Sequence, residues 1–199
     1  MRVTSLKLSI LALIVVAALT VAPIASADSF TITSNNLGLS GTLGTVVTSQ
    51  NGSNVDVTIT MSPGYAILLN GGDIGLNTTS GLVLTTSSLS NFSISGLSAS
   101  LKNNSTIGSF MFDFLYQTSV SGGQQFPTSL SFTVLNASLN QITGLGTHIC
   151  VLNTGQGCST TGFAATGGTP VVTPEPGTLG LLGTGLVGLA GLVRRRFLS

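Results

Sequence analysis

Val55-Asp56-Val57-Thr58-Ile59-Thr60-Met61 places an apolar side chain at every second position, with Asp56, Thr58 and Thr60 filling the gaps. Successive side chains of an extended chain point to opposite faces. The stretch therefore reads as a strand with one dry face and one wet face. Outward from it, Leu130, Phe132 and Val134, continuing toward Asn136, form a second alternating row. Phe110, Phe112, Phe114 and Tyr116 share one side of a third, with Met111, Asp113 and Leu115 on the other. Bulk on both sides predicts a central strand. Phe92-Ser93-Ile94 and Ile149-Cys150-Val151-Leu152 are shorter candidates. Turn signals separate these runs: Asn51-Gly52, Ser62-Pro63-Gly64, Asn70-Gly71-Gly72-Asp73 and Ser121-Gly122-Gly123. Frequent turns and no helical stretch predict an all-β, antiparallel, jelly-roll-like β-sandwich of roughly eight to ten strands. No internal repeat marks a solenoid.

This central region, 28–165, is almost uncharged. Lys102 stands against Asp28, Asp56, Asp73 and Asp113, a formal charge of −3 with His148 neutral. Nucleic-acid readers need clustered Lys and Arg to displace counterions from phosphates. One lysine excludes nucleic acid as a partner. Ser, Thr, Asn and Gly carry the polarity instead, and the alternating apolar rows argue for a packed domain rather than disorder. The stretch 166–173, with Gly167-Gly168-Thr169-Pro170, has the composition of a linker.

Both ends are apolar segments with basic flanks. Arg2 and Lys7 precede the run from Leu8 to Val21, and Ala25-Ser26-Ala27 follows. A charged start, a short apolar core and small residues at Ala25 and Ala27 predict a signal peptide over 1–27, cut after Ala27 by signal peptidase. At the other end, 174–199, Pro174-Glu175-Pro176-Gly177 leads into the apolar run 178–193, then Arg194, Arg195 and Arg196. As a helix that run would span about 24 Å. This is a little short of a bilayer core of roughly 30 Å, a gap that local thinning covers. The run predicts a single transmembrane helix. The three arginines belong on the cytoplasmic side by the positive-inside rule. Both ends then place the central domain outside. Gly183, Gly185 and Gly188 fit G-x-G-x-x-G, but no strand precedes them and no βαβ unit surrounds them. Gly180, Thr184 and Gly188 read instead as a small-residue helix stripe.

The C-terminal arrangement closely resembles the PEP-CTERM sorting signal. Pro174-Glu175-Pro176, the Gly/Leu-rich run and the terminal Arg cluster occur in the family's order over about the last 26 residues. The resemblance implies recognition and cleavage by an exosortase, a membrane cysteine transpeptidase-like enzyme. It also implies delivery to the cell surface or extracellular matrix. The two prolines resist helix, which leaves an extended strip for a processing enzyme to grip.

Cys150 and Cys158 are the only cysteines, and export into an oxidising compartment predicts a disulfide between them. A metal site would need more ligands than His148 supplies, so no metal and no cofactor are expected. A hydrolytic triad needs a histidine with partners, and His148 is the sole histidine. The four aspartates each have an ordinary role in a strand, a turn or a terminus. No enzyme activity and no catalytic residue are expected. The functional expectation is an exported, non-catalytic structural protein of the bacterial surface or matrix. Its partners would be signal peptidase and exosortase as processing enzymes, the membrane through the C-terminal helix, and exopolysaccharide. The alternative is a carbohydrate-binding module facing exopolysaccharide, which rests on fold analogy alone.

Overall fold

The computed structural model describes residues 26–107, 110–155, 157–174 and 184–185. Thirteen strands run through them: β1 (Ser26–Asn35), β2 (Gly44–Asn51), β3 (Asn54–Met61), β4 (Tyr65–Ile67), β5 (Asp73–Thr78), β6 (Leu89–Ser90) and β7 (Leu97–Leu101), then β8 (Thr106–Ile107), β9 (Phe110–Met111), β10 (Phe114–Val120), β11 (Ser129–Val134), β12 (Ile142–Leu152) and β13 (Cys158–Pro174). A single 3-10 turn, Leu139–Gln141, precedes β12.

Eleven strands form one antiparallel sheet in the order β6-β11-β3-β2-β1-β13-β12-β5-β10-β7, with β4 also paired to β12. Two short strands, β8 and β9, form a separate hairpin. The all-β, antiparallel expectation holds. Pairing is continuous across the whole sheet, which curls until it is nearly closed. β4 helps to close it. Its Ile67 pairs with Ile149 of β12, while the Ile67 N–H donates to Pro127 O at 2.8 Å, in the lead-in to β11. A curled sheet has one concave face, and that face holds one core. Phe30, Ile32, Val46, Val57, Ile59, Ile74, Tyr116, Phe132 and Ile149 all meet there. The Tyr116 hydroxyl, deep in this core, donates to Thr85 O at 2.7 Å.

The alternating row at 55–61 is β3, with Val55, Val57, Ile59 and Met61 buried. Leu130, Phe132 and Val134 are buried on β11, and their row stops before Asn136, which takes a left-handed φ of 54°. Phe92 and Ile94 pack against the core from a loop rather than a strand.

The aromatic run at 110–116 is not one strand. It breaks between β9 and β10, where the Asp113 N–H donates to Asn77 Oδ1 and Asp113 Oδ2 accepts from Thr78 N–H. The break changes the face. Phe114 and Tyr116 stay with the main core, whereas Phe112 joins Ile107, Leu115 and Ala165 in a second, outer cluster flanked by Phe110 and Phe163. Phe112 lies where Gly75 of β5 and Gly146 of β12 leave the sheet bare, and a Cβ at either glycine would run into its ring.

The stretch 166–173, expected as a linker, continues β13 as far as Pro174, so the domain does not end at 165. Along one edge it pairs with β1, a partner that composition does not reveal. Ser26–Glu175 forms one compact unit. The expected signal peptide before Ser26 lies outside the described residues. So does the transmembrane helix 178–193 apart from Thr184 and Gly185, which are helical. Among the described residues no helix is long and apolar enough to cross a membrane.

Candidate functional site: the paired ends of the chain

The predicted N-terminal cut and the start of the sorting motif lie on neighbouring strands. β1 and β13 pair antiparallel, with Ser26 opposite Pro174, Ala27 opposite Thr173, Asp28 opposite Val172 and Ser29 opposite Val171. The chain thus enters and leaves the folded unit at the same end of one ladder. Beyond Ser29 the register breaks: Thr31 faces Gly167, and residues 168–170 bulge opposite Phe30. This is how β13 accommodates its prolines. Pro170 falls in the bulge and Pro174 at the strand end, the two places where a missing N–H removes no ladder bond.

On its other side β1 pairs with β2, Ala27 opposite Ser49 and Asp28 opposite Thr48. The end of β1 is therefore flanked by strands on both edges. Ala27 is 7% exposed and Asp28 is 8% exposed. Beside it lies a cavity of about 410 Å³ lined by Ser26, Asp28, Gln50, Ser138, Leu139 and Asn140. The Gln50 side chain in its wall is already committed. Gln50 Nε2 shares its two hydrogens among Gly52 O, Asn54 O and Ala137 O, and Gln50 Oε1 accepts from Leu139 N–H at 2.7 Å. Gln50 is a strut between the β2–β3 turn and the 3-10 turn.

Cys150 and Cys158 form the disulfide, with Cα atoms 5.4 Å apart. It ties β12 to β13 next to the turn that joins them. Of the expected processing residues, Ala27 and Pro174 fall on the paired strands, Ala27 opposite Thr173 and Pro174 opposite Ser26. Ala25, Glu175, Pro176, Arg194, Arg195 and Arg196 lie outside the described residues.

Sequence reasoning missed one charged pair. Asp73, expected in a turn, is the first residue of β5, and its carboxylate meets the Lys102 ammonium at 2.7 Å. Its side chain is only 6% exposed, against 32% for Lys102. His148 is nearby on β12, its ring 3.8 Å from that of Phe163. Burial holds the His148 pKa below its usual value, the Asp73 charge opposes that shift, and Lys102 adds to it. A depressed pKa keeps the imidazole neutral at pH 7. Asp56 accepts from Thr133 Oγ1 at 2.7 Å and from Asn51 Nδ2 at 2.8 Å, which binds β3 to β11 across the ladder. Among the described residues, no group of three or more His, Cys, Asp or Glu side chains could hold a metal ion.

The fold defines a class: an all-β domain whose first and last described strands, β1 and β13, pair side by side. The PEP-CTERM protein-sorting motif matches residues 172–196, beginning within the last residues of β13. The chain therefore carries a PEP-CTERM sorting domain, the signal of an exported protein whose membrane-anchored precursor is processed by an exosortase. No curated protein and no solved structure matches the chain.

Proposed function

We propose that this protein is a non-catalytic structural component of the bacterial surface or extracellular matrix. Its β-domain is the delivered cargo, and its two ends are signals that are removed. The observation that carries this reading is the sorting motif over 172–196, which begins within the last residues of the strand that completes the domain. We read the nearly closed sheet as a flattened, jelly-roll-like sandwich whose wet face is built from Ser, Thr and Asn. Such a surface hydrogen-bonds to water and polysaccharide without depending on charge, which suits a hydrated matrix. The carbohydrate-binding alternative gains no specific support. Tyr116 and most phenylalanines are spent in the two clusters, and the cavity beside β1 has no aromatic lining.

The test is expression of the full chain in a host with an exosortase. The wild-type domain is expected in the surface and matrix fractions. The variant with Pro174, Glu175 and Pro176 all replaced by alanine is expected to stay in the inner membrane with its β-domain folded. Equal surface delivery of both would reject the sorting role of the motif. A saturable hit for the domain on a glycan array would replace the structural role with a binding one.

A further inference from the structure

We infer that the N-terminal cut determines how far the sorting motif is freed from the folded domain. This rests on the exosortase reading above. The Ala27–Asp28 bond lies in a strand paired on both edges, and both residues are buried. A protease needs an extended, accessible substrate, which this bond is not once the ladder has formed. Among the described residues β1 is the first strand and β13 the last. The cut therefore precedes the pairing, and it removes Ser26 and Ala27 from the ladder before β13 docks.

The consequence falls on the motif. In the uncut chain Ser26 and Ala27 stand opposite Pro174 and Thr173. After the cut the ladder ends at Asp28 opposite Val172, so Thr173 and Pro174 have no β1 residue across from them. The β1–β13 ladder then stops at Val172, two residues before Pro174. A chain that kept Ser26 and Ala27 would hold the first proline of the motif against the sheet. An exosortase would have to peel that end before gripping it. The cut site of one enzyme thus sets the substrate accessibility of the other, through backbone pairing alone.

The experiment exports three full-length chains on a foreign signal sequence, with each N-terminus verified by mass. One begins at Asp28, one at Ser26, and one at Ser26 with Ala27→Pro, which removes an N–H from the retained strand end. Tail removal is followed by pulse-chase. The Ser26 chain should be processed about fivefold to thirtyfold more slowly than the Asp28 chain, the factor that one or two retained backbone hydrogen bonds carry. Ala27→Pro should restore most of the rate. Equal rates for the first two chains would overturn the inference while leaving exosortase sorting intact. A slow Ser26 chain that Ala27→Pro does not rescue would also overturn it, because the delay would not come from pairing. Failure of all three chains to lose the tail would reject the sorting reading itself.

Discussion

Gly146→Ala tests how the outer cluster is built. Phe112 is 6% exposed although it lies outside the main core, because its ring rests on strands β5 and β12 where Gly75 and Gly146 have no side chain. A methyl group at 146 would occupy the space of the ring's edge. The ring must then swing out, and the loss approaches that of Phe→Ala in a core, about 3–5 kcal/mol. Against this, alanine gains about 0.5–1 kcal/mol over glycine within a strand. The net cost of Gly146→Ala is therefore about 2–4 kcal/mol. The same change made on a Phe112→Ala background should be close to neutral: the ring is gone, and the tight 3.1 Å approach of the new methyl group to Ala164 O offsets the gain of alanine over glycine. The coupling between the two sites should thus be about 2–4 kcal/mol, far from additive. Urea unfolding of the exported domain and its single and double variants measures it. Additivity to within about 0.5 kcal/mol would refute the account of Phe112 as a ring seated on glycines.

Replacing Cys150 and Cys158 by serine opens a loop of sequence separation 8 and should cost about 2.5 kcal/mol by the chain-entropy account, read as a shift in the urea midpoint. Lys102→Met leaves the buried Asp73 carboxylate without its ion-pair partner. About 2 kcal/mol of destabilisation is expected at pH 7, less than for a fully buried pair because Lys102 is partly solvated. The depressed His148 pKa means that the unfolded chain binds the proton more tightly. Stability is then complete above about pH 6.5 and declines as the pH falls below it, and His148→Gln should flatten that decline in thermal unfolding across pH 5–8.

Strands with one dry face were legible from sequence because their period survives intact. Val55 to Met61 and Leu130 to Val134 kept their alternation in β3 and β11. The run from Phe110 to Tyr116 also alternates, yet it crosses a break at Asp113. Four aromatics at even spacing conceal such a slip, because periodicity counts residues and not faces. The linker reading of 166–173 failed for a related reason. Gly167, Gly168 and Pro170 look like a flexible segment, but Val171 and Val172 are strand formers, and the partner that orders them is about 140 residues away in β1. Asp73 looks like a turn residue from its Gly-rich neighbours, and nothing local points to Lys102, about 30 residues on. The sorting motif, by contrast, is linear. Its recognition depends on neighbouring residues in order, so it was readable without any fold.

Intact mass spectrometry of the protein recovered from the cell surface reads the fate of both terminal segments in one spectrum. A species beginning at Asp28 and lacking Arg194, Arg195 and Arg196 is the expected product. A surface species that still carries the arginine cluster, or one that begins at Met1, would contradict it.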